Sequence, residues 1–429
     1  MSTSARRYRL AYGKTGLEFG LPESARVTVV EPRFVPGVPD APAALQQALR
    51  HPIGSAPLRE RVRSGDRVAI VFNDITRHTP SALLLGTLLA ELEHVPAEQI
   101  LLFNATGTHR PNTPDELRGM LSAEIAERYT IVQNDCRDRA SHALAGYGAG
   151  GSEIWLQREF MACDIRILTG FIEPHLFAGF SGGGKAFLPG LARLDTILNN
   201  HSPQNIGHPR ARWGLTQGNP IWQEITAAID LVEPVFLLNI CLNQARQITR
   251  VFAGDVRQAH QAGCAFARDT AMTPVDEPFD IVIGCNAGYP LDLNVYQSVK
   301  GMSAAAQVVR PGGAILLAAE CWDGIPEDGE YARMLRSATD YATLLESIRA
   351  PGAHRPDGWQ VLIQAEIALK AEIHLYSHRL TAEQIESARL RPSPSIETTA
   401  ADLLRRFGPE ARICVMPEGP LATPYLRTP

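Results

Sequence analysis

The sequence predicts two α/β domains with mostly parallel sheets, and three features of the chain lead there. In the first half, short apolar runs alternate with helical patterns in a strand, helix, strand rhythm. A second unit of this kind starts near residue 279, after residues 270–278, where proline and acidic residues replace the periodic pattern. A length of 429 residues with 45% hydrophobic content is enough to bury a substantial core in two or three domains.

Taken in order, residues 67–72 read as a strand, 82–94 as a helix and 99–103 as the next strand. This rhythm favours a parallel sheet with helices on its faces, and it puts Asp74, Arg77 and His109 just beyond the C-terminal ends of strands, the edge where α/β sheets bind ligands. Residues 146–151 fit the dinucleotide pattern G-x-G-x-x-G. They follow a polar loop, however, and precede residues 153–160, which read as a strand where that motif requires a helix, so a hairpin turn is expected.

Residues 170–190 bring together His175, Gly182, Gly183, Gly184 and Lys185, and His201 follows shortly. Glycines let backbone N–H groups approach an anion closely, and a lysine among them is either a phosphate contact or a nucleophilic amine. Residues 179–185 fit the P-loop pattern G-x-x-x-x-G-K, but Ala186 stands where a Ser or Thr hydroxyl must meet Mg²⁺. Pro189 and Gly190 would also break the helix that a P-loop opens. Both departures argue against an ordinary nucleotide triphosphatase. In the second unit, residues 279–284 read as a strand, 296–309 as a helix, and 314–319 as a strand after Pro311, Gly312 and Gly313.

A net charge of -5 and the lack of a basic run disfavour a nucleic-acid binder, leaving small molecules as the expected partners. Residues 1–10 hold no apolar signal-peptide core, and no apolar run is long enough to span a bilayer, so a cytoplasmic protein without a membrane partner is expected. Seven cysteines without a C-x-x-C pair argue against a disulfide framework or a structural zinc site; reduced, buried thiols are expected.

Several separated motifs share one resemblance. Asn73-Asp74-Ile75-Thr76-Arg77-His78-Thr79-Pro80 resembles the D-x-T-R-x-T-P signature of the lactate racemase family, and Ala105-Thr106-Gly107-Thr108-His109-Arg110 its T-G-x-H loop. The stretch from Gly170 to Gly190 resembles the family's lysine-bearing loop, and Leu198-Asn199-Asn200-His201 its metal-ligand segment. Tyr296-Gln297-Ser298-Val299-Lys300-Gly301 resembles its substrate-side Y-Q-x-x-K, and Asp357-Gly358-Trp359-Gln360 a tryptophan-bearing motif near the end. The similarity covers nearly the whole chain, in matching order.

The resemblance implies a racemase or epimerase of a 2-hydroxy acid, an isomerase that uses a nickel-pincer nucleotide (pyridinium-3-thioamide-5-thiocarboxylic acid mononucleotide). Lys185 would carry that nucleotide through its amine, and His201 would complete the coordination of Ni²⁺ after one carbon and two sulfur donors. His109 and His175 match the two catalytic histidines. The C–H bond of a 2-hydroxy acid is barely acidic, so the substrate would lose hydride while a base takes its hydroxyl proton. Return of hydride to a reoriented planar keto acid then needs a second base. Arg77, Tyr296, Gln297 and Lys300 are implied at the substrate, and Asp74, Thr79, Thr106, Gly182, Gly183 and Gly184 at the cofactor. His78, Trp359 and His208 stay outside this set.

By the same resemblance, residues 1–272 with about 393–429 form the cofactor-attachment domain and residues 277–392 the second domain, with a second crossing near 389–396 and a cofactor cleft between the two. The cofactor would be made by other proteins in trans. The expected substrate is a short-chain acid such as lactate. The alternatives are a larger hydroxy acid (malate, aryl or sugar acid), or a non-catalytic nickel-cofactor-binding protein that would need Lys185 and His201 but not His109, His175 and Arg77.

Overall fold

The structure is a computed structural model that describes residues 5–326, 329–350 and 352–427. The chain divides into two compact units, one made of Phe34–His201 and Arg210–Arg268, the other of Met1–Arg33, Ser202–Pro209 and Asp269–Pro429.

The unit that begins at Phe34 is built on a six-stranded sheet in the order Ile248–Asp255, Val235–Leu242, Ile165–Phe171, Val68–Asn73, Ile100–Ala105, Thr130–Gln133. All neighbours are parallel except Ile248–Asp255, an antiparallel edge strand. Val68, Ala69, Ile70, Val71 and Phe72 are wholly buried, as expected of a strand covered on both faces. Leu84, Leu85 and Leu88 of the helix Ser81–Glu91 join Ile70 and Phe72 in one core, and each such leucine contributes about 1.5–3 kcal/mol by burial. From Val68–Asn73 the chain adds two strands outward, then returns to lay Ile165–Phe171 on the other side of its first strand. Strand order therefore reverses between these two neighbours, and the carboxyl ends flanking the reversal form a natural crevice.

The glycine-rich stretch at 146–151 is a hairpin turn, as the sequence indicates: His142–Tyr147 pairs antiparallel with Glu153–Gln157. The second strand stops three residues short of its expected end. The Gln157 side chain accepts from the amides of Glu159 and Phe160 and so starts the short helix Arg158–Met161.

The other unit holds a six-stranded sheet with all neighbours parallel, in the order Arg391–Pro392, Glu372–Tyr376, Val309–Ala318, Phe279–Cys285, Arg412–Met416, Arg26–Val29. This corrects the expected domain boundaries. Residues 393–429 do not return to the first domain, because Ile413, Cys414, Val415 and Met416 are fully buried and take a strand on each side. One of those partners is Arg26–Val29, so the first 33 residues belong to this unit as well. Pro392, within the expected crossing at 389–396, lies in the short edge strand, where a missing N–H costs no ladder bond.

All seven cysteines are buried free thiols. Among the described residues no helix is long and apolar enough to cross a membrane.

Candidate active site

Three loops leave the carboxyl edge of the first sheet beside its strand reversal, and they carry most of the expected site residues. The loop after Val68–Asn73 holds Asp74, the loop after Ile100–Ala105 holds His109, and Nδ1 of His109 donates to Oδ2 of Asp74 at 2.7 Å. A carboxylate only accepts, so whenever the ring is neutral this bond keeps its proton on Nδ1 and leaves Nε2 with its lone pair. The Asp74 side chain is 5% exposed and that of His109 43%, so the acid is hidden and the base is open. Burial pushes the Asp74 carboxyl up. The His109 hydrogen bond and charge, the Thr76 hydroxyl at 2.7 Å and the charge of Arg77 outweigh burial and hold it below the usual carboxylate range.

The loop after Ile165–Phe171 carries His175, Phe177 and Lys185. Pro174–His175 pairs antiparallel with Gly179–Phe180, which folds this loop back on itself and buries His175. The Phe177 ring meets His175 edge-on at 4.6 Å between centroids and His201 edge-on at 4.9 Å, and Nζ of Lys185 lies 5.6 Å from its centre. One aromatic side chain thus touches three expected site residues. His201 ends the helix Leu194–Asn200. Burial, then the charge of Lys185, pushes its pKa down to about 3, so its imidazole is neutral at ordinary pH, the form that can bind a metal.

The glycines before Lys185 are needed for backbone shape. Gly182 and Gly183 have φ of 75° and 57°, and a Cβ on Gly183 would fall 2.8 Å from the His260 ring. The expected anion contacts change in detail. The amide of Gly183 donates to Oδ1 of Asn239 at 2.8 Å, and the hydroxyl of Thr106 donates to the Asn134 carbonyl at 2.6 Å. Both donors therefore brace the loops. The hydroxyl of Thr79 likewise donates to Oδ1 of Asn73 at 2.7 Å.

Phe177, Asn239 and His260 escaped the sequence reading. The signal for Asn239 was a polar residue inside the apolar strand Val235–Leu242. His260 is 4% exposed, stacks on Trp222 at 4.5 Å, and through Nε2 donates to the Ser181 carbonyl at 2.9 Å. Burial first, then Lys185, drives its pKa down to about 4 against the opposing effect of the Ser181 bond. Because the folded pKa lies below the unfolded one, the unfolded chain takes up a proton below about pH 6.5 that the folded chain refuses. Stability should therefore fall as pH drops from about 6.5 towards 4, by up to about 3 kcal/mol from this residue. Melting temperatures across that range should fall less steeply in His260→Phe than in the wild type; equal slopes would remove His260 as the source.

In the other unit, Tyr296, Gln297 and Lys300 lie near the start of the helix Val295–Ala306. Tyr296 and Lys300 are four residues apart and share a face. Asn294 caps the helix by accepting the Gln297 amide at 3.0 Å, and Asn286 secures its entry by donating to the Gln297 carbonyl at 3.1 Å. The hydroxyl of Tyr296 accepts from Nε1 of Trp359 at 3.2 Å, and its carbonyl accepts from Nε2 of Gln360 at 2.9 Å. The tryptophan motif therefore holds Tyr296 in place. His208 belongs to the segment Ser202–Pro209 of this unit.

Residues 12–214 match the lactate racemase N-terminal domain, and residues 275–421 the lactate racemase C-terminal domain. The lactate racemase of Thermoanaerobacterium thermosaccharolyticum is 31% identical over 425 residues, covering 96% of this chain and 97% of that one. The lactate racemase of Lactiplantibacillus plantarum is 33% identical over 377 residues, covering 87% and 89%. The solved structure of the lactate racemase apoprotein from Thermoanaerobacterium thermosaccharolyticum superposes with a TM-score of 0.91 at 30% identity, covering 99% of this chain and 100% of that one. A Thermotoga maritima protein at 17% identity shares the fold alone, with a TM-score of 0.68. With sequence likeness across both halves and a shared architecture end to end, the chain belongs to the lactate racemase family and is an isomerase.

Proposed function

We propose that the chain racemises a short-chain 2-hydroxy acid, with lactate as the first candidate, using His109 and His175 as the two proton-transferring groups and a nickel-pincer nucleotide held through Lys185 and His201. The observation that carries this reading is the convergence of the His109–Asp74 pair, His175 and Lys185 on three loops at one strand reversal. The two relatives named lactate racemase supply the substrate class.

The residues fit such a cofactor. Among the described residues no three His, Cys, Asp or Glu side chains gather as a metal-binding set. A nucleotide that brings carbon and sulfur donors asks the chain for one more, and the buried neutral imidazole of His201 offers it. When bound, that group supplies a hydride acceptor and donor, which no side chain provides. The protein supplies the proton transfers. Nε2 of His109 takes the hydroxyl proton of one enantiomer while Asp74 steadies the resulting imidazolium. His175 serves the other enantiomer. Arg77, beside Asp74, grips the substrate carboxylate, and the family resemblance also assigns Tyr296, Gln297 and Lys300 to the substrate.

His201→Ala should keep the fold and weaken nickel retention on dialysis, because it removes the donor assigned here to the protein while those of the nucleotide remain. Metal analysis reads this directly, and unchanged nickel would shift the role to His208.

Arg110 bears on substrate size. It is the cation nearest His109 in sequence and the natural partner for a second carboxylate, but its two Nη atoms grip Glu116 at 2.8 and 2.6 Å. That bond, with the Thr113 amide, pulls the Glu116 carboxyl down to about 2. A dicarboxylic acid that called on Arg110 for its second charge would have to break this pair. In a panel of lactate, 2-hydroxybutyrate, phenyllactate, malate and gluconate, chiral chromatography should rank lactate and 2-hydroxybutyrate first. Higher efficiency with malate or gluconate would overturn the short-chain reading and leave the racemase chemistry standing.

A further inference from the structure

The turn that bears Lys185 is held from beneath by two buried polar groups to which the reaction gives no part. Asn239 lies in the strand Val235–Leu242, opposite Gly170, and is wholly buried. Its Oδ1 accepts the Gly183 amide two residues before Lys185. His260, on the helix Val256–Ala271, donates to the carbonyl of Ser181 four residues before Lys185. Each bond is the kind a buried polar group must make, so neither can be dropped without leaving an orphaned partner on the turn. The fit also runs the other way. A Cβ on Gly182 would fall 2.4 Å from Oδ1 of Asn239, and one on Gly183 would meet the His260 ring. The start of the loop is stitched separately: the Ser181 hydroxyl donates to the Phe171 carbonyl at 2.9 Å and accepts the Glu173 amide at 2.9 Å. The loop is thus tied to three elements of the sheet unit: one strand, its neighbour and a helix.

We propose that Asn239 and His260 are positioning residues that fix the glycine turn so that the Lys185 amine is presented in one pose before anything is joined to it. This rests on reading Lys185 as the point of attachment. It adds that the pose is set by the apoprotein, with a neutral acceptor on one side and a neutral donor on the other. At neutral pH a histidine pKa near 4 keeps His260 uncharged and keeps a second positive charge away from the amine.

The test uses Asn239→Leu, which keeps the volume and loses the acceptor, and His260→Phe, which keeps a ring on Trp222 and loses the donor. Hydrogen exchange on the full-length apoprotein should rise at least about tenfold in residues 179–187 in each variant, with strands Val68–Asn73 and Ile165–Phe171 still protected. After co-expression with cofactor-making proteins, intact mass should show the Lys185 adduct reduced at least about fivefold, and the double variant should fall no further than the sum of two independent losses. Of the chain's four lysines, Lys14, Lys300 and Lys370 serve as internal controls in peptide mapping. Unchanged exchange in the turn, or a full adduct yield in both variants, would overturn the proposal. If wild-type protein gains no mass at all, the attachment reading fails instead; the exchange result still decides whether these residues hold the turn. If a variant loses protection throughout, the remaining one decides.

Discussion

Lys185→Ala is expected to lose two things together: the mass gain seen after co-expression with cofactor-making proteins, and all racemisation above background. Lys185 is the only lysine between Lys14 and Lys300, so no second amine stands in its loop. Lys185→Arg should fail equally, although it keeps the positive charge over Phe177, because a guanidinium stays protonated and is a poor nucleophile. This pair of variants separates a tether from a mere cation. If arginine restored turnover, charge alone would suffice and the tether reading would fall. Protein expressed without the cofactor pathway should show the unmodified mass, since nothing in this chain resembles a machine for building such a nucleotide. Intact-protein mass spectrometry and chiral chromatography on the same preparations read both losses.

The second large effect belongs to the histidines. His109→Ala and His175→Ala should each slow racemisation by about 10² to 10⁴, the usual worth of a positioned acid or base. Both directions must slow together, because the enantiomers have equal free energy and the two catalytic efficiencies are tied at equilibrium. The tie holds although each histidine meets a different enantiomer. Asp74 offers a finer comparison: without its carboxylate, His109 keeps its ring but loses the bond that fixes the proton on Nδ1. Near-normal rates in either alanine variant would remove that histidine from the mechanism.

Legibility in the sequence followed the range of the interactions. The strands Val68–Asn73 and Phe279–Cys285 could be read because a short, largely apolar run rich in Val and Ile states its own structure. The hairpin at 146–151 could be read because glycines without a following helix leave few alternatives. Arg26–Val29 could not: four residues have no period, and what makes them a strand is pairing with Arg412–Met416 from the far end of the chain. The site divides in the same way. His109, His175 and Lys185 stand in motifs, so the sequence could nominate them. That His109 is held by Asp74, and that Phe177 touches three site residues, depend on where separate loops meet. Asn239 and His260 were hidden for a related reason. Each occupies an element whose pattern speaks only of burial, and their partners are backbone groups that any sequence possesses.

The late pairing of Arg26–Val29 also bears on how the molecule is made. That strand is synthesised long before its neighbour Arg412–Met416, with the whole of the other unit's sheet lying between them in the chain. The unit that contains them cannot complete its sheet as it is synthesised, and closing so long a loop carries a large entropic cost before any contact repays it. The other unit takes all of its sheet from residues 68–255 and can finish first. Biogenesis is thus expected to pass through a stage in which the lysine-bearing half is folded while the half that carries Tyr296 and Lys300 still exposes strand edges, the stage most in need of chaperone cover.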